Sequence, residues 1–467
     1  MPGGPEVMGQ CAVLVLYRQD VHATMHVLLH SPRFDVSREL EVDVVDMTHD
    51  GRGVARVNGK AVFVAGALPG ERVRMLVEVR KKHFDEGRTL EVLQAAADRV
   101  VPKCPHFGRC GGCTLQHLQA ESQIVVKQRV LQENLERIGH VQAERWLSPL
   151  TDQPWGYRRK ARLGVKYVAK KGMTLVGFRE TNPRFLAELQ RCEVLVPAVG
   201  ERIGELATLV QSLDAREHIA QIEVASGDAQ TVLVFRHLQP LSSSDRERLQ
   251  AFAQATGLGI MLQSGGVDSV ETLWPEVIAL DFRIPAYDIT LKFQPLDFVQ
   301  VNAGMNQRMI DLALQLLDPQ REDRILDLFC GLGNFTLPIA RRAATVVGVE
   351  GDAGLVQRAR ANAALNGLPN AEFYAADLSQ DVRAEPWVKG GFNKLLLDPP
   401  RSGADAVIPQ LPLEGVQRIV YVSCHPASLA RDAGVLVRDY GFQLKAAGVM
   451  DMFPHTGHVE SIALFER

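Results

Sequence analysis

Two segments near the carboxyl terminus hold the residues best suited to bond chemistry. Val422-Ser423-Cys424-His425-Pro426 ends a strand-like run, and Phe453-Pro-His-Thr-Gly-His-Val-Glu460 leads into the last one. A cysteine at a strand end is placed to be a nucleophile when a base shares its sheet edge. Glu460 is the carboxylate that can take a proton there. Cys330, inside a glycine turn with no base at hand, reads as a small buried core residue instead.

Upstream runs Asp327-Leu-Phe-Cys-Gly331-Leu-Gly333-Asn334-Phe, a strand feeding a glycine-rich turn and then a helix. Such a turn lets backbone approach a ligand closely. Thr336 stands where the third glycine of a dinucleotide fingerprint belongs, which disfavours a nicotinamide or flavin site. Asp327, Glu350, Asp377 and Asp398 each fall at or near a strand's carboxyl end, the edge where open α/β sheets bind ligands. Their order suits S-adenosylmethionine: methionine by the glycine turn, ribose hydroxyls on Glu350, adenine near Asp377. In Asp398-Pro-Pro-Arg-Ser-Gly the prolines keep the chain extended and its carbonyls free to present a substrate base.

A second constellation is Cys104-x5-Cys110-x2-Cys113 with Cys192 far downstream. Three clustered thiols and a distant fourth can hold an iron–sulfur cluster or a tetrahedral zinc, and the spacing does not separate the two. It departs from the tighter triplet of radical S-adenosylmethionine enzymes. Residues 153–179 hold eight Lys or Arg and no acidic residue, with Trp155, Tyr157, Tyr167 and Phe178 interleaved. Cations neutralise phosphates and aromatic rings stack on unpaired bases, so this stretch is expected to touch RNA.

These groups need scaffolds. The chain has 467 residues, 46% hydrophobic and 23% charged, with net charge −3. At roughly 150 residues per domain that suggests about three folded units. Disordered, fibrous and disulfide-scaffold classes are excluded, and the longest hydrophobic run, Cys11 to Tyr17, falls far short of a bilayer span. A cytosolic chain with no membrane partner is expected. Residues 1–40 show no period and receive no function. Short alternating runs over 41–95, with turns at His49-Asp50-Gly51 and Asn58-Gly59, predict a small, partly closed β-barrel of the oligonucleotide-binding type. A mixed α+β region follows over 96–300, opening with the cysteines and a helix at about 119–137. Strand and helix then alternate over 301–467, which predicts a doubly wound α/β domain with a parallel sheet.

DLFCGLGNFTLPIA, LDPPRSG, VSCHPASLARD and DMFPHTGHVES, in that order, resemble the S-adenosylmethionine-dependent RNA uracil-C5 methyltransferases. The likeness spans about 41–467 and is closest to the bacterial 23S rRNA branch bearing a TRAM domain and an iron–sulfur cluster. It implies a Rossmann-like methyltransferase domain, TRAM over the barrel, and a [4Fe-4S] cluster on Cys104, Cys110, Cys113 and Cys192. It implies Cys424 as nucleophile, Glu460 as base, and S-adenosylmethionine contacts from Gln300, Phe329, Asn334, Glu350, Asp377 and Asp398. The implied partner is 23S rRNA, methylated at uracil 1939; separately, a monomer is expected. Pro400 stands where the family often has alanine and His425 where it has asparagine; neither change removes a reacting group.

Other readings remain open on the sequence. The target could be another 23S or tRNA uridine. A non-catalytic ribosome-assembly factor would need neither Cys424 nor Glu460. An amino-group methyltransferase normally carries an aromatic residue after the paired prolines, where this chain has Arg401.

Overall fold

Five strands, β1 (Arg38–Met47), β2 (Gly53–Val57), β3 (Lys60–Ala65), β4 (Arg72–Arg80) and β5 (Phe84–Gln94), close into a barrel of order β1-β2-β3-β5-β4. The structure is a computed structural model that describes residues 38–467; residues 1–37, with Cys11 and nearly all of the 1–40 extension, lie outside the described residues. Alternation of apolar and polar residues puts Val42, Val44, Val62, Val64, Val73 and Met75 inside the barrel. Asn58 and Gly59 both take positive φ, 51° and 81°, as a tight hairpin of this hand requires. The expected part-open barrel is fully closed, because β4 pairs with both β1 and β5.

Helix α1 (Ala120–Asn134) follows the cysteine loop, and a short strand β6 (Arg145–Trp146) comes next. The central region forms a six-stranded sheet of order β12-β11-β10-β9-β7-β8. Its strands are β7 (Lys160–Val168), β8 (Met173–Gly177), β9 (Ile219–Ser226), β10 (Thr231–His237), β11 (Gly259–Gln263) and β12 (Val270–Trp274). Helices α2 (Pro197–Gly200), α3 (Ile203–Ser212) and α4 (Ser243–Thr256) accompany it, and Leu206, Val210, Leu249 and Ala253 bury against Ile222, Leu233 and Phe235. A hairpin of β13 (Leu280–Ile284) and β14 (Ile289–Phe293) leads to the carboxy-terminal sheet.

That sheet has eight strands in the order β17-β16-β15-β18-β19-β21-β20-β6. The parallel part comprises β15 (Arg324–Leu328), β16 (Thr345–Glu350), β17 (Ala371–Ala375), β18 (Lys394–Leu397) and β19 (Arg418–Ser423). Their near-continuous apolar runs are what a strand covered on both faces requires. One face is covered by α5 (Ala303–Leu317), α6 (Thr336–Ala340) and α7 (Ala353–Leu365). The other is covered by α8 (Pro426–Arg438) and α1.

Two features correct the expectation. The sheet is mixed rather than parallel, since β21 (Glu460–Glu466) runs antiparallel to β19 and to β20 (Gln443–Met450). A short segment between β20 and β21 permits a hairpin-like return where a crossover helix would need more chain. Second, a boundary at residue 300 separates α1 and β6 from the sheet they complete. Ile124 and Leu131 of α1 are buried in the same core as Leu429 and Ala433 of α8, and β6 pairs with β20.

Candidate active site

The carboxyl ends of β15, β16, β18 and β19 bring the anticipated residues to one edge. After β15, Phe329 adopts φ of 65°, followed by Gly331 and Gly333 at 55° and 92°. Left-handed backbone at Phe329 turns the chain sharply off the strand. The Gly331 N–H donates to Glu350 Oε2 and the Asp352 N–H to Oε1, each at 3.1 Å, so Glu350 is held at the rim of the glycine turn. Asn334 exchanges amide bonds of 2.9 Å in both directions with Asn306 of α5, and Gln300 lines the same small recess as Asn306. Asp377 is exposed at the far side, its Oδ1 accepting from the Ser379 N–H and hydroxyl, which holds its carboxyl below the usual range. Asp327 is fully buried, accepts from the Thr336 hydroxyl at 2.5 Å, and is pushed up to about 8 by that burial. Its second oxygen has no partner among the described residues.

Three titratable groups interact where β18, β19 and β21 meet. Burial pushes the Cys424 thiol up to about 11, the charges of Glu460 and Asp398 push the same way, and Arg401 opposes them. Burial lifts Glu460 to about 8, with Asp398 adding to the lift and Lys127 opposing it. Asp398 rises to about 7 by burial. Cys424 and Arg401 open onto a cavity of 510 Å³ whose other walls include Gly112, Thr456, His458 and the barrel residues His49 and Asp50. That volume suits one small organic group such as a nucleoside. The loop after the two prolines is fixed by Asp432, whose Oδ2 accepts from the Ala404 N–H at 2.7 Å and the Tyr421 hydroxyl at 2.6 Å. His425 caps α8 with its ring, the place asparagine would fill as well.

Glu460 sits at the end of a segment, residues 451–459, that is gripped from the cysteine region. The N–H groups of Thr114 and Leu115 both donate to the His455 carbonyl at 2.9 Å. Gln123 Oε1 accepts from the His455 N–H at 2.8 Å, and the Tyr157 hydroxyl donates to the Pro454 carbonyl at 3.1 Å. Trp155 stacks on the His455 ring at 3.9 Å. Lys127 of α1, buried, donates to Asp451 Oδ1 at 2.6 Å and to the Phe453 carbonyl at 2.9 Å. Spacing gave no sign of Lys127, which lies in a polar helix. Asp451 was within a quoted motif, with no partner to give it meaning.

Cys104, Cys110, Cys113 and Cys192 all line one cavity of 240 Å³. Burial raises every one of the four thiols, Cys113 to about 12 and Cys192 to about 11. Among the described residues no three His, Cys, Asp or Glu side chains converge tightly enough to bind a single metal ion. The basic stretch is partly structural: Arg159 pairs with Asp228 at 2.7 Å, Arg162 with Glu223, Lys171 with Glu188 at 3.6 Å, and Lys160 donates to the Pro295 carbonyl. Lys166, Lys170 and Arg179 remain exposed. Trp155 and Tyr157 hold the 451–459 segment rather than standing free for bases.

The sequence profile of the tRNA (uracil-5-)-methyltransferase family matches residues 122–467, and that of the TRAM domain matches 33–90. A protein of Stenotrophomonas maltophilia, named a 23S rRNA (uracil(1939)-C(5))-methyltransferase, is 59% identical over 430 residues, covering 91% of this chain and 97% of its own. One of the same name from Xanthomonas campestris is 59% identical over 438 residues, covering 93% and 98%. The crystal structure of Pyrococcus abyssi tRNA (uracil-54, C5)-methyltransferase with S-adenosyl-L-homocysteine superposes with a TM-score of 0.69 at 22% identity, covering 91% of this chain and all of that one. The chain belongs to the tRNA (uracil-5-)-methyltransferase family and carries a TRAM domain at its amino-terminal end.

Proposed function

We propose that this protein methylates carbon 5 of a uridine in 23S rRNA, at uracil 1939, with S-adenosylmethionine as donor. The observation that carries the reading is that Cys424, which opens onto the 510 Å³ cavity, lies at the end of β19 between the buried carboxyls of Asp398 after β18 and Glu460 at the start of β21. The activity named for the 59%-identical relatives supports the substrate.

Carbon 5 of uracil is too electron-poor to take a methyl group unaided. In this reading the Cys424 thiolate forms a bond to carbon 6, and the ring π electrons move onto the carbonyl oxygen as an enolate. Bound S-adenosylmethionine supplies an electrophilic methyl group, which carbon 5 captures. Glu460 then removes the carbon-5 proton, the ring double bond re-forms, and the sulfur–carbon bond breaks to return the thiolate. A base titrating at about 8 is well matched to this work near neutral pH. Arg401, at the cavity wall, is the cation that favours the thiolate. Gln300, Phe329, Asn334, Glu350, Asp377 and Asp398 are the residues assigned to hold the donor. The uridine must leave any stack to reach Cys424, at a cost of about a few kcal/mol.

Cys104, Cys110, Cys113 and Cys192 are assigned to a [4Fe-4S] cluster. A single tetrahedral zinc, with bonds of about 2.3 Å, needs its four sulfurs drawn close together. A cluster binds each thiolate through a different iron, which fits four thiols spread around a 240 Å³ cavity. No step of the reaction passes through it.

The test uses 23S rRNA fragments carrying 5-fluorouridine together with S-adenosylmethionine. Fluorine at carbon 5 leaves no proton to remove, so a covalent protein–RNA adduct should persist on a denaturing gel. An adduct absent from the Cys424→Ala variant establishes reaction and nucleophile. Tight RNA binding without any adduct rejects the reading.

A further inference from the structure

Lys127 is one of two buried lysines among the described residues, and the reaction above does not use its ammonium. It stands on α1, between the cysteine loop and the catalytic sheet, 1% exposed. Its two partners, Asp451 Oδ1 at 2.6 Å and the Phe453 carbonyl at 2.9 Å, lie at the root of the segment that ends in Glu460. A buried lysine costs several kcal/mol of desolvation unless its bonds are satisfied, so its retention at the base of this segment calls for a role.

We propose that Lys127 is a positioning residue for proton abstraction: it fixes the 451–460 segment in place and presents a positive charge to Glu460. The proposal rests on the reading of Glu460 as the base. Three titratable groups interact with that carboxyl, Asp398, Cys424 and Lys127, and Asp451 enters as the partner of Lys127. Asp398 after β18 and Cys424 after β19 bring negative charge as they ionise, Asp451 is already spoken for by Lys127, and Lys127 itself is the cation acting on Glu460. Burial and Asp398 favour the neutral acid; Lys127 favours the carboxylate that can accept a proton. His458, two residues before Glu460, is itself kept neutral by burial and by Arg401, Lys127 and Arg158.

Lys127 therefore acts on the last step and not on the first. Once the Cys424 thiol has lost its proton, its addition to 5-fluorouridine RNA and the methyl transfer do not call on Glu460 as base, whereas turnover on ordinary uridine RNA does. The experiment compares the full-length holoenzyme with Lys127→Met and Lys127→Arg in both assays across pH. In Lys127→Met, adduct formation should change far less than turnover, in rate and in pH profile, because only turnover draws on Glu460 as base. Turnover should fall about tenfold at pH 7, with its acid limb moved up by about one unit. Lys127→Arg, which keeps the charge, should restore most of the turnover and the position of the limb. A turnover limb unmoved in Lys127→Met overturns the proposal. So does loss of adduct formation in both variants, because Lys127 would then support the fold rather than the base. A wild-type enzyme that forms no adduct rejects the underlying reaction instead, so the two failures are distinguishable.

Discussion

Cys424 and Glu460 both rest in the wrong protonation state for their assigned work, and that determines how the enzyme responds to substitution and pH. With the thiol raised to about 11 and the carboxyl to about 8, both groups are mainly protonated at pH 7 in the empty site. Turnover should rise as pH increases from 7 to about 9; a flat or falling profile would exclude these groups as nucleophile and base. Substitutions separate the roles. Cys424→Ala should abolish both adduct and product. Glu460→Gln should form the adduct on ordinary uridine RNA and fail to resolve it, so that a methylated covalent complex accumulates and is visible by mass spectrometry. The same shifts bear on stability. Glu460 titrates at 4.5 ordinarily and at about 8 in the fold, so its contribution is fully present below about 4.5 and is lost as pH rises through 8. Asp327 and Asp398 act in the same direction. His117 and His455, depressed to about 4, oppose this only below 6.5. Between pH 6.5 and about 8.5 the melting temperature of the ligand-free protein should therefore fall, and Glu460→Gln should flatten that slope.

At the scale of elements, what could be read from the sequence was what local pattern alone determines. Asn58-Gly59 needs positive φ at both positions and so announces its hairpin, and Arg324–Leu328 and Lys394–Leu397 are apolar enough to be strands wherever they fall. Strand β20 was missed because Gln443–Met450 is rich in alanine and glycine and has no alternation; its place comes from the partners on either side. The antiparallel return of β21 was illegible for the same reason. Of the candidate site, the proposed pair Cys424 and Glu460 could be picked out from chemistry and order, but Lys127 depends on a bond spanning more than three hundred residues of sequence. Docking of the barrel was equally hidden. A Cβ on Gly457 would lie 2.5 Å from the His49 carbonyl oxygen, so only glycine lets the barrel turn close over the cavity beside Cys424. Gly457→Ala should displace that turn at a cost of about 1–3 kcal/mol. The expected readout is a raised KM for RNA and faster proteolysis at residues 48–52, with less change in kcat.

Across the whole molecule, three units converge on one cavity: the barrel through His49 and Asp50, the cysteine loop through Gly112, and the methyltransferase domain through Cys424. No helix among the described residues is long and apolar enough to cross a membrane. The cysteine loop is joined to the chemistry by a short path. Cys113 lines the thiol cavity, and the next two residues, Thr114 and Leu115, give both N–H groups to the His455 carbonyl. His455 has φ of 67°, a left-handed conformation that costs a non-glycine residue free energy and persists only when its surroundings impose it. Gln123, Trp155 and the two N–H groups are those surroundings. Whatever orders Cys113 thus also orders the segment leading to Glu460, five residues further on. On the cluster assignment proposed above, the Cys113→Ser variant should lose the broad visible absorption of iron–thiolate bonds, and methylation should fall with it. RNA affinity should fall less, since the barrel strands and the exposed Lys166 and Lys170 do not line the thiol cavity. Full methylation by protein lacking that absorption would show that the segment holds its shape without the cluster, and that the thiols serve some other end.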